Sequence, residues 1–86
     1  MKRSEILDQA TILTASDRQD EYGSWDDNAK RIAGGWSLIT NHNIEPRHVA
    51  LMMAWVKTVR LREDNHGDSW VDLAGYAALG GEFDGS

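Results

Sequence analysis

The chain lacks cysteine altogether and has one proline among its 86 residues. Without cysteine it can form no disulfide bond, no thiolate nucleophile and no zinc site built on sulfur. No apolar run reaches the roughly 18 residues of a membrane span, and the N-terminal stretch MKRSEILDQA has no hydrophobic signal-peptide segment. We therefore expect a cytoplasmic protein with no membrane partner.

Basic residues are also few, since 9 Lys and Arg stand against 14 Asp and Glu and the net charge is −5. Contact with nucleic-acid phosphates or with an anionic membrane requires a basic face. The charge balance therefore argues against sequence-specific DNA binding. A small ligand or another protein is the expected partner.

The length predicts a single helical domain over residues 1–82, followed by a flexible tail at residues 83–86. A domain of this size buries only about 60 to 65% of the surface of its unfolded chain, so it is marginally stable alone. Association of identical chains would bury more surface. We therefore expect a homo-oligomer.

Apolar spacing predicts four helices and no strand. The expected helices cover residues 4–15, 25–40, 46–63 and 69–79. Their predicted start signals are Ser4, Ser24, Pro46 in the first turn of the third helix, and Asp68 or Ser69.

The third predicted helix carries an apolar run of eight residues, VALMMAWV. A surface helix is polar on one side, so this run predicts a helix that is covered on most sides. The expected fold is an all-α compact bundle of about four helices around a central buried third helix. Its predicted core residues are Val49, Met52, Met53 and Val56.

The first two helices are expected to turn narrower apolar faces inward. The face of the first helix consists of Ile6, Ala10 and Leu13, and that of the second consists of Ala29, Ile32, Ala33, Trp36 and Ile39.

Small residues predict close helix approach at two places. Gly34 and Gly35 would each cost about 1 kcal/mol relative to alanine if they were exposed. The fourth helix contains its own group of small residues, Ala74, Gly75, Ala77 and Ala78. We expect one of these two stretches to form the contact between identical chains.

Two aspartates stand four residues apart at the start of the fourth helix, in HGDSWVDLAGYAAL. Asp68 is placed to cap that helix and to meet its dipole. Asp72 shares a face with Tyr76 and has apolar neighbours. Because a short loop returns the chain from the third helix, Lys57 or Arg60 can pair with Asp72 across the two helices. A structural pair and a ligand- or metal-binding role both stay open at this point.

Magnesium is the candidate cofactor, because it takes oxygen ligands from one or two carboxylates and from substrate phosphates. Asp68 and Asp72 would supply the carboxylates. His66, with Glu63 and Asp64 nearby, is an additional candidate ligand. A histidine in such a polar loop is also typical of a solvated surface residue.

Aromatic and polar side chains provide candidate contacts for a planar ligand. Trp36 and Trp55 fit core faces, whereas Trp25 and Trp70 stand at helix starts, where a ring can stack on a base at ~1 to 3 kcal/mol. The turn in DRQDEYGSWDDN gathers further hydrogen-bonding groups. The predicted ligand-binding residues are Arg18, Tyr22, Asn28, Lys57, Arg60, Trp70 and Tyr76.

The stretches DRQDEYG, VALMMAWVKTVRL and DSWVDLAGYAALGGE together resemble a family of short phage and prophage proteins of unknown function. The resemblance runs from about Arg3 to Glu82. It implies expression from a tailed phage or prophage in a bacterial cytoplasm, and it implies no particular activity.

More distantly, YG followed by a D...D..GY helix is similar to the MazG-like all-α nucleotide pyrophosphohydrolases. These enzymes hold magnesium against nucleotide phosphates with acids on adjacent helices. The similarity implies Asp68 and Asp72 as metal-binding acids and Lys57 and Arg60 as phosphate contacts. The family also has an E-x-x-E pair on the preceding helix, and VKTVRLRED has none. This departure favours nucleotide binding over hydrolysis.

Three functions compete on these grounds. The first is binding of a nucleotide or a nucleotide-derived signal without turnover, for instance to sequester a defence signal. The second is magnesium-dependent pyrophosphohydrolysis by a reduced MazG-like enzyme. The third is non-catalytic binding of a host protein through the acidic surface. The missing acid pair ranks the first above the second, and only a ligand search separates the first from the third.

Overall fold

The structure, a computed structural model, describes residues 1–15, 24–63 and 67–85. This part of the chain forms four α-helices and no strand, which confirms the predicted all-α class. The helices are α1 (Arg3–Thr14), α2 (Trp25–Thr40), α3 (Pro46–Glu63) and α4 (Gly67–Gly85).

The start of α1 differs from the prediction, whereas the start of α2 agrees with it. The residue before α1 is Lys2, whose backbone N–H donates to Glu5 Oε1 at 3.2 Å, so Ser4 lies inside the first turn and is not the cap. At α2, the Asp27 N–H donates to Ser24 Oγ at 3.1 Å. Ser24 is therefore the N-cap, as the sequence predicts.

A short polar connection joins α2 to α3. Asn41 ends α2 in the left-handed conformation, with φ of 56°, which asparagine tolerates better than most residues. The Ser37 hydroxyl oxygen accepts from the Ile44 N–H at 2.8 Å, and it lies 2.7 Å from the Ala33 carbonyl oxygen. Pro46 then begins α3, where its missing N–H leaves no bond unmade.

The helices pack in the order α2, α3, α4, α1, with the most extensive contact between α3 and α4. Small side chains dominate the buried positions, so the helix backbones lie close together. The buried apolar residues are Ala10, Ala29, Ala33, Val49, Ala50 and Val71.

Helix α3 occupies the central place in this order, but only one of its sides is covered. Val49 is fully buried, as predicted, and Met53 is half-buried. The prediction is wrong for Met52 and Val56, which are exposed, and for Trp55, which is also exposed. The reason is geometric: α4 packs on α3 at Ala50, next to the fully buried Val49, and the exposed residues lie on other parts of the helix surface.

The inner face of α2 is also narrower than predicted. Ala29 and Ala33, one helical turn apart, are buried, and Trp36 is half-buried. Ile32 is partly exposed and Ile39 is exposed. Because α2 contacts α3 through the small side chains, the bulkier neighbours are left at the edge. In α1 the predicted face is confirmed.

Close helix approach occurs on α4, where the sequence predicts it, and not on α2 within the chain. A Cβ added at Gly80 would lie 3.0 Å from Ala50 Cβ, and one added at Gly75 would lie 3.4 Å from Thr14 Cγ2. A Cβ added at Gly34 or Gly35 would meet nothing within 4 Å. Among the described residues, no neighbour therefore approaches that glycine pair.

Helix α4 is longer than predicted at both ends. It begins at Gly67, so Asp68 and Ser69 lie in its first turn and are not its cap. It continues through Gly80 and Gly81 to Gly85, although the sequence predicts an end near residue 79 and a tail from residue 83. Two consecutive glycines locally favour the end of a helix, but packing of Gly80 against Ala50 on α3 favours the helical conformation here.

Candidate functional site

An ion pair joins the two most extensively packed helices. Lys57 on α3 and Asp72 on α4 have their Nζ and Oδ2 atoms 3.1 Å apart, with 14% and 30% of the respective side chains exposed. This confirms the prediction that a base on the third helix holds Asp72. The pair is partly buried and so differs from a fully exposed surface salt bridge, and each partner keeps part of its side chain accessible.

An aromatic pair lies one turn further along α4. The rings of Trp25, the first residue of α2, and Tyr76 have centroids 5.7 Å apart and planes inclined by 53°. Because Tyr76 follows Asp72 by four residues, the aromatic pair and the ion pair share one face of α4. The sequence places Trp25 at a helix start but gives no signal that it contacts Tyr76.

The indole of Trp25 has an unusual environment. Its Nε1 atom is buried and, in the part of the chain that the structure describes, it has no hydrogen-bond partner. Buried polar groups in folded proteins almost always have a partner, and an unpaired donor costs about 1 to 3 kcal/mol. Among the described residues, this atom is therefore the buried polar group of the cluster whose hydrogen-bonding requirement is unmet.

The other predicted site residues are distributed around this cluster. Asp68 is exposed one turn before Asp72, and Arg60 is exposed one turn after Lys57. Asn28 is half-buried on α2, one turn after Trp25. Trp70 is exposed and lies about 120° around α4 from Tyr76, so the structure does not bring it to the cluster. Arg18, Tyr22, Asp64 and His66 lie outside the described residues.

The described residues do not fit the two-carboxylate magnesium site that the MazG-like resemblance implies. Asp72 is engaged by Lys57, and Asp68 is exposed. Over residues 1–15, 24–63 and 67–85, no group of three or more His, Cys, Asp and Glu side chains is arranged to hold a metal ion. A positively charged ammonium in contact with Asp72 opposes binding of a cation at the same oxygen.

Among the described helices, none combines the length and the apolar character that crossing a membrane requires.

Comparisons with known proteins place the chain among phage proteins. It is 36% identical over 76 residues to the Gene 55 protein of Mycobacterium phage L5, in a match that covers 86% of this chain and 49% of that protein. The chain thus spans about half the length of this curated relative. No solved structure matches it.

Residues 5–84, almost the whole chain, match a family described as a domain of unknown function, DUF6378. Together with the phage relative, this match confirms the resemblance to a phage protein family of unknown function. The more distant resemblance to MazG-like pyrophosphohydrolases stays a prediction. Because the family match covers residues 5–84, the chain belongs to the DUF6378 family.

Proposed function

We propose that this protein is a phage accessory protein that binds a small nucleotide-like ligand without turnover, in the cytoplasm of the infected bacterium. Sequestration of a nucleotide-derived signal is the simplest role for such binding. The observation that carries the proposal is the buried Trp25 Nε1–H, which has no acceptor among the described residues, on an indole that packs beside the Tyr76 ring.

A nucleobase supplies the hydrogen-bond acceptors that the Trp25–Tyr76 pair lacks. Its ring nitrogens and carbonyl oxygens are acceptors for an indole N–H, and its flat face gains ~1 to 3 kcal/mol by stacking on an aromatic side chain. A ligand that accepts from Trp25 Nε1 also removes the cost of leaving that donor unpaired. Both effects favour a planar molecule that carries acceptors at its edge.

The neighbouring ion pair supports recognition of the polar part of the same ligand. An ammonium group has three donors, so Lys57 can keep its contact with Asp72 and still donate to a ligand oxygen. Arg60, exposed one turn further along α3, offers a guanidinium to a phosphate. The engagement of Asp72 by Lys57 favours binding over hydrolysis, because it occupies one of the acids that a metal-dependent reaction requires.

The test is a thermal-shift and calorimetric screen of the full chain against nucleotides and cyclic nucleotides, with and without magnesium. A ligand at 100 times its dissociation constant adds ~2.7 kcal/mol of stability, which raises the melting temperature of so small a domain by several degrees. Trp25→Phe keeps an aromatic ring but removes the N–H, and we expect at least a tenfold weaker affinity, about 1.4 kcal/mol.

Trp70→Phe is the matched control, since it makes the same change at an exposed tryptophan away from the Trp25–Tyr76 pair and should leave the affinity unchanged. If no compound in the screen raises the melting temperature or gives a heat of binding, the proposal is contradicted. Binding that requires magnesium and disappears in Asp68→Asn would instead support the metal site that the MazG-like resemblance implies.

A further inference from the structure

The outward side of α3 has a continuous apolar surface. Five large side chains project from it, with exposed fractions between 39% and 68%. We call this surface the outer stripe of α3, and it consists of Leu51, Met52, Trp55, Val56 and Val59.

The outer stripe is an apolar patch near the upper end of the size range that a typical monomer exposes. With side chains of this size, about 500 Å² of mainly apolar surface is accessible on each copy, near the upper end for a typical monomer. The described part of the chain has one large side chain, Val49, that is fully buried. Helix α3 thus exposes five large apolar side chains, whereas one large side chain in the described residues is fully buried.

We propose that the outer stripe of α3 is covered by the same stripe of a second copy of this chain. Two such patches together bury about 1,000 Å², which is the lower limit for a specific protein interface. The stripe runs about 12 Å along α3 from Leu51 to Val59, and Trp55 lies at its midpoint. A two-fold axis near Trp55, with the two helices antiparallel, sets Leu51 of one copy against Val59 of the other.

The charge distribution on α3 fits a contact of this kind. Between Leu51 and Val59 the sole charged residue is Lys57, which faces α4 and is paired with Asp72. The remaining charges of α3 lie near its ends, at Arg47, Arg60, Arg62 and Glu63. The arrangement corresponds to an apolar centre with a polar rim, so the contact forms without burying an unpaired charge.

This interface differs from the two that the small residues suggest. Gly75 and Gly80 are used within the chain, against Thr14 and Ala50. On α2, the large apolar side chains exposed near the Gly34–Gly35 pair are Ile32, Leu38 and Ile39, which are fewer than the five of the outer stripe.

Sedimentation velocity of the full chain, over concentrations from about 1 to 200 µM, tests the proposal. We expect the average mass to rise from one chain to two. Trp55→Glu should raise the dimer dissociation constant at least thirtyfold, because it puts a carboxylate at the centre of the contact; this is about 2 kcal/mol, the threshold of an interface hot spot. Since Trp55 is exposed in the single chain, the variant should keep its helical circular dichroism.

Ile39→Glu on α2 is the matched control, because Ile39 is 83% exposed and lies off the stripe. It should leave the dissociation constant unchanged. A wild-type chain that stays monomeric at every concentration, or a dimer that Ile39→Glu weakens as much as Trp55→Glu does, overturns the proposal. A monomer whose Trp55 is needed to bind a host protein also overturns it and assigns the stripe to that partner.

Discussion

Lys57 Nζ and Asp72 Oδ2 lie 3.1 Å apart and tie α3 to α4 at a point where both helices are partly covered. The same two helices also approach closely at Ala50 and Gly80. Residues early in α3 thus contact residues late in α4, and the two helices are antiparallel. The ion pair and the small-residue contact therefore both belong to the interface between α3 and α4.

Asp72→Asn should weaken the fold. The substitution leaves the Lys57 ammonium partly buried without its carboxylate, and we expect the free energy of unfolding to fall by about 1 to 3 kcal/mol. Urea denaturation at neutral pH measures this change. Asp68→Asn is the control, because Asp68 is exposed and makes at most a favourable contact with the helix dipole. Equal losses in the two variants would show that the ion pair contributes nothing specific.

Gly80→Ala and Gly81→Ala should change stability in opposite directions, although both sites lie side by side in α4. At Gly81 the added methyl group meets nothing within 4 Å, so helix propensity alone should stabilise the protein by about 0.5 to 1 kcal/mol. At Gly80 the new Cβ would lie 3.0 Å from Ala50 Cβ, which forces α3 and α4 apart and should cost about 1 to 3 kcal/mol.

The double variant Gly80→Ala with Ala50→Gly tests whether the contact between residues 80 and 50 causes the loss of stability. It transfers the methyl group from one helix to the other and should recover part of the loss in thermal melts. If Gly80→Ala alone is as stable as Gly81→Ala, the close approach does not exist.

Ser37→Ala should destabilise the connection between α2 and α3. Without the hydroxyl group, the half-buried Ile44 N–H loses its acceptor at 2.8 Å, and we expect a loss of about 1 to 2 kcal/mol in chemical denaturation. Thr40→Ala removes a hydroxyl group that bonds only the Trp36 carbonyl oxygen of its own helix, at an exposed site. That control should stay within about 0.5 kcal/mol of the wild type.

Gly34→Ala should stabilise the chain by about 0.5 to 1 kcal/mol, because α2 is helical there and the new methyl group meets no atom within 4 Å. Thermal melts at low protein concentration measure the gain. Sedimentation of the same variant separates the two candidate interfaces: an unchanged dimer is expected if the outer stripe of α3 forms the contact. A dimer that dissociates would restore the Gly34–Gly35 stretch as the interface.

The candidate site could be predicted from the sequence only in part. The Lys57–Asp72 pair follows from a short connection, which forces α3 and α4 to lie side by side with their facing residues in register. The contact between Trp25 and Tyr76 has no such constraint, because these residues are far apart in the chain and α2 packs mainly on α3. The position of Trp70 at a helix start predicted its exposure correctly. Whether Trp70 reaches the cluster could not be predicted, because that depends on where α1 and α3 pack on α4.

Local sequence by itself determined where α2 and α3 begin and that no strand forms in the described residues. Helical spacing, the Ser24 cap and Pro46 act within one or two turns, so they operate before any tertiary contact exists. Only the tertiary structure decided which apolar side chains are buried and where α4 ends. Ala29 and Ala33 are buried while Met52 and Ile39 are exposed, because burial depends on how closely another helix approaches, and small side chains permit the closest approach. For the same reason α4 continues past Gly80, where contact with α3 outweighs the local cost of glycine.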